Sequence, residues 1–306
     1  MTRFVGNLRF RPRIAAVCPN DEATLLALQK AVTDGLADAI LVTAEHSDTA
    51  AISDLPTDHV HFIQTNTPAE AAACAVALAH AGKADVLMKG LIGTDMLLHA
   101  VLDKQKGLLP AGHVLTHVAA AEIPAYDKLL FFTDAAVIPY PTQQQREAQV
   151  GEAIAVCRSL GIARPHVALV HCSEKASEKF PHTEGYATLK ALAATGHWGD
   201  AVVDGPLDVR TACDAEACRV KGIDTPIKGA ADVLVFPDIE AGNAFYKAIT
   251  RFAGARVAGI LRGTTHPIVV TSRGDNAESK FDSLLMALAL AATATNQPNH
   301  PVSCKS

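Results

Sequence analysis

A chain of 306 residues is too long for one small core and predicts about two domains. With 49% hydrophobic and 19% charged residues it is not a disordered or fibrous protein, and a net charge of -5 supplies no field to gather nucleic acid or an anionic membrane surface. Any anionic ligand must therefore be held by local groups.

From the N-terminus, short apolar runs rich in β-branched residues alternate with segments of helical spacing. RIAAVC at 13 leads into PNDEATLLALQKAVTDG, where Asn20 or Asp21 suits a helix cap. AILVTA at 39, HVHFIQ at 59, ADVLMK at 84 and KLLFFTD at 128 continue the strands. HVALVHC at 166, AVVDGP at 201, ADVLVFP at 231, RVAGILRG at 256 and PIVVTS at 267 complete them. Asp238 is the expected cap of the helix in PDIEAGNAFYKAITRFAGA, and FDSLLMALALAA forms the last long helix. Such βα alternation predicts an α/β protein with parallel-rich sheets, helices on both faces, and ligands outside the carboxyl ends of the strands. IPYPTQQQREAQ at 138–149, with two prolines and a polar run, marks the boundary. The expected first domain is residues 1–138 with 263–306, the second is 139–262, and the active-site cleft lies between them.

Seven cysteines, Cys18, Cys74, Cys157, Cys172, Cys213, Cys218 and Cys304, are odd in number and form no CxxC pair, which favours a reducing compartment. The apolar run after the arginine-rich start stops within about five residues, and the longest apolar stretch falls short of the ~20 residues that span a bilayer. The expected address is cytoplasmic, with neither membrane nor nucleic acid as partner. Neither GxxxxGK[ST] nor GxGxxG occurs. His59 and His61 alternate on a strand, and His113 and His117 flank a Val-Leu-Thr stretch without carboxylates, so no metal site is expected. CDAEAC sets Cys213 and Cys218 five apart in a helical pattern, off a common face, as packing cysteines.

The chemistry-bearing residues sit where strands end. In MKGLIGTD, Lys89, Gly90 and Thr94 follow a strand and would let backbone amides approach an anion at a helix N-terminus. FTDAA and VDGPLD put Asp134 and Asp204 at strand ends, where a turn or a helix cap explains them equally well. TSRGDNAESK leaves a strand through Ser272, Arg273 and Gly274, then crowds Asp275, Glu278 and Lys280 at a helix mouth. A cation at the positive end of a helix is unfavourable unless an anion sits between them, so Arg273 points to a phosphate or carboxylate ligand.

Taken in order, MKGLIGTDMLLHAVLDKQKGL, LLFFTDAAV, VDGPLDV, DVLVFPDIEAGNAFYKA and PIVVTSRGDNAESKFDSL resemble the phosphate acetyltransferase and phosphate butyryltransferase family from about Ile14 to Leu290. DKQKGLLPAGHVLTHVAAAEIP and SRGDNAESK are more similar to the butyryl branch. The resemblance implies reversible transfer of a short acyl group, butyryl or similar with acetyl open, between coenzyme A and inorganic phosphate. It also implies a two-domain fold shared with isocitrate and isopropylmalate dehydrogenases, a homodimer, and no tightly bound cofactor, acyl-CoA and phosphate being substrates. Arg273 then offers a planar fork to phosphate oxygens, and Ser272 bonds the developing oxyanion or the sulfur. Seven positions after that serine the acetyl branch has an aspartate base; here the position is Ser279, which leaves Asp275 or Glu278 to take the thiol proton. Lys89, Gly90, Thr94, Thr133, Asp134, Asp204, Asn243 and Tyr246 match motif positions with binding or positioning roles, Asn243 having a solvent-facing alternative. No cysteine is paired in sequence with an activating motif, which disfavours an acyl-enzyme. The rival classes are an NAD-dependent decarboxylating dehydrogenase of the same fold and a non-catalytic CoA-ester binding protein.

Overall fold

The computed structural model describes residues 10–44, 57–271 and 274–294 of the chain. Two compact units divide it, Met1–Leu108 with His266–Ser306, and Leu109–Thr265. In the first unit the chain runs through β1 (Arg13–Val17), α1 (Glu22–Thr33), β2 (Asp38–Ala44), β3 (Val60–Thr65), α2 (Pro68–His80), β4 (Val86–Lys89) and α3 (Thr94–Val101). The second holds β5 (Thr116–Glu122), β6 (Leu130–Thr133), α4 (Gln143–Ser159), β7 (His166–Val170), α5 (His182–Ala194) and β8 (Val202–Leu207). It continues with α6 (Val209–Cys213), α7 (Ala215–Lys221), β9 (Val233–Val235), α8 (Ile239–Phe252) and β10 (Arg256–Arg262). The chain then returns through β11 (Ile268–Val269) and α9 (Ala277–Ala294) to the first unit.

The first crossing falls at Leu108 rather than near 139. Pairing explains the difference, because β6 joins β5 on one side and β9 on the other and so belongs with the second unit. The expected boundary segment instead opens α4, where Thr142 and Gln145 form a reciprocal capping box after two prolines.

Within the first unit the strand order is β3-β2-β1-β4-β11, and every pairing is parallel. β1, β2 and β4 are buried along nearly their whole length, as their continuous apolar runs require. β3 is buried only at Val60 and exposes Phe62, as befits the edge strand of the order. Asp21 caps α1 by accepting from the Thr24 amide at 2.9 Å, and Thr67 with Pro68 opens α2. α9 packs on α1, β4 and β11 through a buried face that includes Leu284, Leu285 and Leu288. Among the described residues no helix is long and apolar enough to cross a membrane.

The second unit orders its strands β10-β5-β6-β9-β7-β8. β5 is antiparallel to both neighbours, and the remaining pairings are parallel. This strand, THVAAAE, carries no β-branched run, and its alanines suit a fully buried site beneath α4. Phe132 anchors the core against Phe236 and Phe245, with ring centroids 6.4 and 5.5 Å apart in edge-to-face contact. The CDAEAC segment is not one helix. Asp214 ends α6 and caps α7, accepting from the Glu216 and Ala217 amides, so Cys213 and Cys218 lie on separate helices. Asp238 caps α8 as expected, accepting from the Ala241 amide at 2.8 Å.

Candidate functional site

In the first unit, parallel pairing brings β1, β4 and β11 to a common edge, with Val17 opposite Lys89 and Val269 opposite Met88. Immediately beyond β1, Cys18 turns the chain at φ 47°, a conformation uncommon for a residue other than glycine. Its carbonyl accepts from the Leu91 amide at 2.6 Å, and a Cβ on Gly90 would stand 2.3 Å from that oxygen. Position 90 therefore admits only glycine. Burial pushes the Cys18 thiol up, against a backbone hydrogen bond from Ala44, and keeps it protonated at neutral pH. Lys89 is buried at the end of β4 with its Nζ 3.4 Å from the Gly90 carbonyl. Thr94 begins α3 behind Gly93, which offers no side-chain cap to the first-turn amides.

The mouth of α9 is arranged around Asn276, whose Oδ1 accepts from the Ser279 amide at 2.9 Å. Asp275 is half-buried before it, and Glu278 is exposed in the first turn. Lys280, expected at this mouth, turns inward instead. Only 3% exposed, it donates to Asp21 Oδ1 at 2.7 Å and to Thr24 Oγ1 at 2.9 Å, fastening α9 to the capped end of α1. Burial alone would raise the Asp21 carboxyl, but hydrogen bonds from Lys280 and Thr24 outweigh it and hold the group below the usual carboxylate range. The buried hydroxyl of Thr271 has no partner among the described residues. Ser272 and Arg273 lie outside the described residues.

In the second unit, Asp134 follows β6 and has both carboxylate oxygens engaged. Oδ1 accepts from the Ala136 and Val137 amides at 2.8 Å each, the turn geometry that its sequence position suggests. Oδ2 accepts from Thr116 Oγ1 and the His117 amide at 3.0 Å each. Thr133 stands alongside, its hydroxyl 3.3 Å from that of Thr116. His117 is pushed down by burial, partly opposed by the Asp134 charge, and its Nδ1 has no partner among the described residues. α8 closes over this turn. A Cβ on Gly242 would meet the Asp134 carbonyl at 2.2 Å, and Asn243 Nδ2 donates to the Ala135 carbonyl at 3.0 Å. Tyr246 packs its ring 6.3 Å from that of Phe132. The structure thus brings Thr133, Asp134, Asn243 and Tyr246 together, and Asn243 is both exposed to solvent, as its alternative reading had it, and tied to the Asp134 turn through the Ala135 carbonyl.

Asp204 is not at a strand end. It sits within β8, paired to Lys190 at 2.6 Å and accepting from Thr225 Oγ1 at 2.6 Å, so its carboxylate is held by α5 and by the segment before β9. His59 bonds Arg11 and Asp38. Among the described residues no group of three His, Cys, Asp or Glu side chains is arranged to hold a metal ion. A cavity of about 520 Å³ between α2 and α3, lined by Ala73, Val76, Met96 and His99 among others, contains none of the expected site residues.

Over residues 60–288 the chain matches the family described as "Phosphate acetyl/butaryl transferase". The chain belongs to this family. Membership makes it a phosphate acyltransferase. It is similar to the phosphate butyryltransferase of Clostridium acetobutylicum, 37% identical over 282 residues that cover 91% of this chain and 93% of that one. It is also similar to the phosphate acetyltransferase of Rhizobium meliloti, 36% identical over 276 residues covering 90% and 87%. Among solved structures, a branched-chain phosphotransacylase from Enterococcus faecalis superposes with a TM-score of 0.82 at 31% identity, covering 92% of this chain and 99% of that chain. A 4-hydroxythreonine-4-phosphate dehydrogenase from Klebsiella pneumoniae, at 13% identity and a TM-score of 0.58 over 92% and 100%, shares the fold alone.

For this acyltransferase the two clusters differ in what they leave open to a ligand. Around Asp134 every carboxylate lone-pair direction met in the turn is used by the protein, which makes Asp134 a support for Thr133 and the start of β5. At the edge shared by β1, β4 and β11, the α3 amides and the buried Thr271 hydroxyl are polar groups aimed where strands finish. Thr116, His117 and the Lys280–Asp21 pair were not among the residues expected from sequence. Thr116 and His117 lie on an alanine-rich strand without the usual signature, and the signal for the pair was Asp21 as a helix cap with no partner in view.

Proposed function

We propose that this acyltransferase moves a short acyl group between coenzyme A and inorganic phosphate, with a four-carbon chain preferred. The observation that carries the reading is the likeness along nearly the whole chain, 34–37% identical, to two phosphate butyryltransferases of Clostridium. In the proposed reaction a phosphate oxygen attacks the thioester carbonyl, the carbon–sulfur bond breaks, and the coenzyme A thiolate leaves. Arg273 grips the phosphate through its planar fork, Ser272 donates to the carbonyl oxygen or the sulfur, and Asp275 or Glu278 exchanges the thiol proton. Lys89, Gly90 and Thr94 line the anion's approach at the start of α3, and Thr133, Asp134, Asp204, Asn243 and Tyr246 position substrate-facing segments. Both reactants are taken up as substrates, with no tightly bound cofactor. A homodimeric, cytoplasmic enzyme with a fold of the isocitrate and isopropylmalate dehydrogenase type completes the proposal.

A direct transfer also fits the state of Cys18, the cysteine at the carboxyl end of β1, whose burial keeps it a thiol. The test is a thiol-release assay with acetyl-, propionyl-, butyryl- and isobutyryl-CoA, each with and without phosphate. Phosphate-dependent release that is greatest with the four-carbon donors is expected. Thiol release indifferent to phosphate, or none with any donor, overturns the proposal.

A further inference from the structure

At the carboxyl end of β7, a thiol and two imidazoles stand in a row. Cys172 is exposed, its Sγ 3.6 Å from Nε2 of His171, and His171 Nδ1 is 3.2 Å from Nε2 of His182, the first residue of α5. His171 itself is held firmly. It is 6% exposed, its amide donates to the Leu207 carbonyl at 2.8 Å, and the edge of the Phe180 ring meets it at 4.7 Å. Nucleophile, base and a third group that orients the base are the three parts by which an activated side chain is recognised.

The surroundings keep the bases unprotonated. Burial lowers both imidazoles. For His182 the neighbouring His171 and the buried Arg146 guanidinium of α4 lower it further, while Asp238 before α8 opposes them. Tyr186, one turn along α5, stacks near His182 at 5.6 Å and spends its hydroxyl on the Val170 carbonyl. With the proton on His171 Nδ1 directed at His182, Nε2 is left to take the proton of the thiol. Of the other described cysteines none is exposed: Cys18, Cys157 and Cys218 are buried, and Cys74 and Cys213 are half-buried.

We propose that Cys172 is an acyl-accepting nucleophile that acts beside, and not within, the direct transfer to phosphate, with His171 as its base and His182 as the group that positions the base. The sulfur attacks the carbonyl carbon of an activated acyl donor, a thioester or an acyl phosphate, as its proton passes to His171 Nε2. A new carbon–sulfur bond forms, the bond to the thiolate or phosphate leaving group breaks, and that group takes the proton from His171. The products are Cys172 thioester and free thiol or phosphate, with no oxidant needed. Phe180, exposed beside His171, offers an apolar rest for a short chain. The choice of donor rests on the acyltransferase reading; the nucleophilicity of the thiol does not.

Two measurements on the full-length enzyme test this. First, alkylation by iodoacetamide at neutral pH is followed by peptide mapping. Cys172 should react at least about tenfold faster than free N-acetylcysteine, His171→Asn should remove that advantage, and His182→Gln should reduce it. Second, enzyme incubated with butyryl-CoA alone or butyryl phosphate alone should gain one butyryl group on Cys172, removable by hydroxylamine and absent from Cys172→Ser; the two arms identify the donor. Alkylation no faster than the free thiol, or unaltered in both histidine variants, overturns the proposal. So does the absence of an adduct with either donor in a preparation that shows phosphate-dependent turnover. A preparation without turnover counts against the acyltransferase reading instead, and the alkylation result then decides the present one.

Discussion

Replacing Asp21 with Asn isolates the charge of the Lys280 pair from the cap of α1, because the amide oxygen can still accept from the Thr24 amide. Two unit charges 2.7 Å apart attract by about 6 kcal/mol at an effective dielectric of ~20, and the desolvation of a lysine that is 3% exposed offsets much of it. What remains measurable is the one-sided loss, since an ammonium left buried without its counter-charge costs about 3–5 kcal/mol. Because the Asp21 side chain is 25% exposed and water can reach it, the lower end applies, about 3 kcal/mol. Lys280→Met removes the stranded charge, so the double variant should be more stable than Asp21→Asn alone. Urea unfolding followed by circular dichroism reads all four corners of the cycle. The midpoint should fall for each single variant while the slope stays constant, and the coupling energy should be about 2 kcal/mol. Losses that add to within about 0.5 kcal/mol would show that the two groups do not interact and that α9 is fastened elsewhere.

Arg273→Ala should raise the KM for phosphate and lower kcat together, by ~100-fold or more in kcat/KM, as expected when a transition-state donor is lost; unaltered phosphate kinetics would remove it from the phosphate site. Gly242→Ala forces a methyl against the Asp134 carbonyl, 2.2 Å from where its Cβ would lie, and should destabilise the protein by about 1–3 kcal/mol in thermal or urea unfolding. A variant as stable as the parent would mean that α8 can lift off the turn freely. Burial alone would raise the Asp208 carboxyl, but hydrogen bonds from Lys221 and Thr211 hold it down to about 2. An unfolded aspartate titrates near ~3.9, so the stabilisation is present above that pH and lost as pH falls toward about 2. Asp208→Asn should flatten the pH dependence of stability in that interval, and an identical acid profile would count against the assignment.

Local signals in the sequence carried far. Every strand among the described residues except β5 coincides with an apolar run, and Asp21 and Asp238 cap the helices beside them, because a cap needs only a neighbour three positions on. β5 was hidden because three alanines in a row have no β preference; its burial comes from antiparallel partners on both sides. The same pairing draws β5 and β6 into the second unit, which is why a boundary placed at the prolines near 139 comes about thirty residues after Leu108. Asp204 was read as a strand end, but β8 continues through Gly205 and Pro206 to Leu207. Tertiary partners were the hardest to foresee. Lys280 and Asp21 lie 259 positions apart, so the inward turn of Lys280 has no signature in TSRGDNAESK. The Cys172, His171 and His182 row joins a strand end to a helix start, and its two imidazoles are eleven positions apart in sequence.

The direction of β5 has a consequence of its own. In a sheet whose members all run one way, the rim on the exit side collects only the final residues of each strand. Here one member enters at that rim, so Thr116 and His117 reach a carboxylate that trails β6. A two-residue slip between β5 and β6 would carry both donors away while leaving the alternation of side chains intact, so the register of this pair is set by Asp134 as much as by the apolar faces.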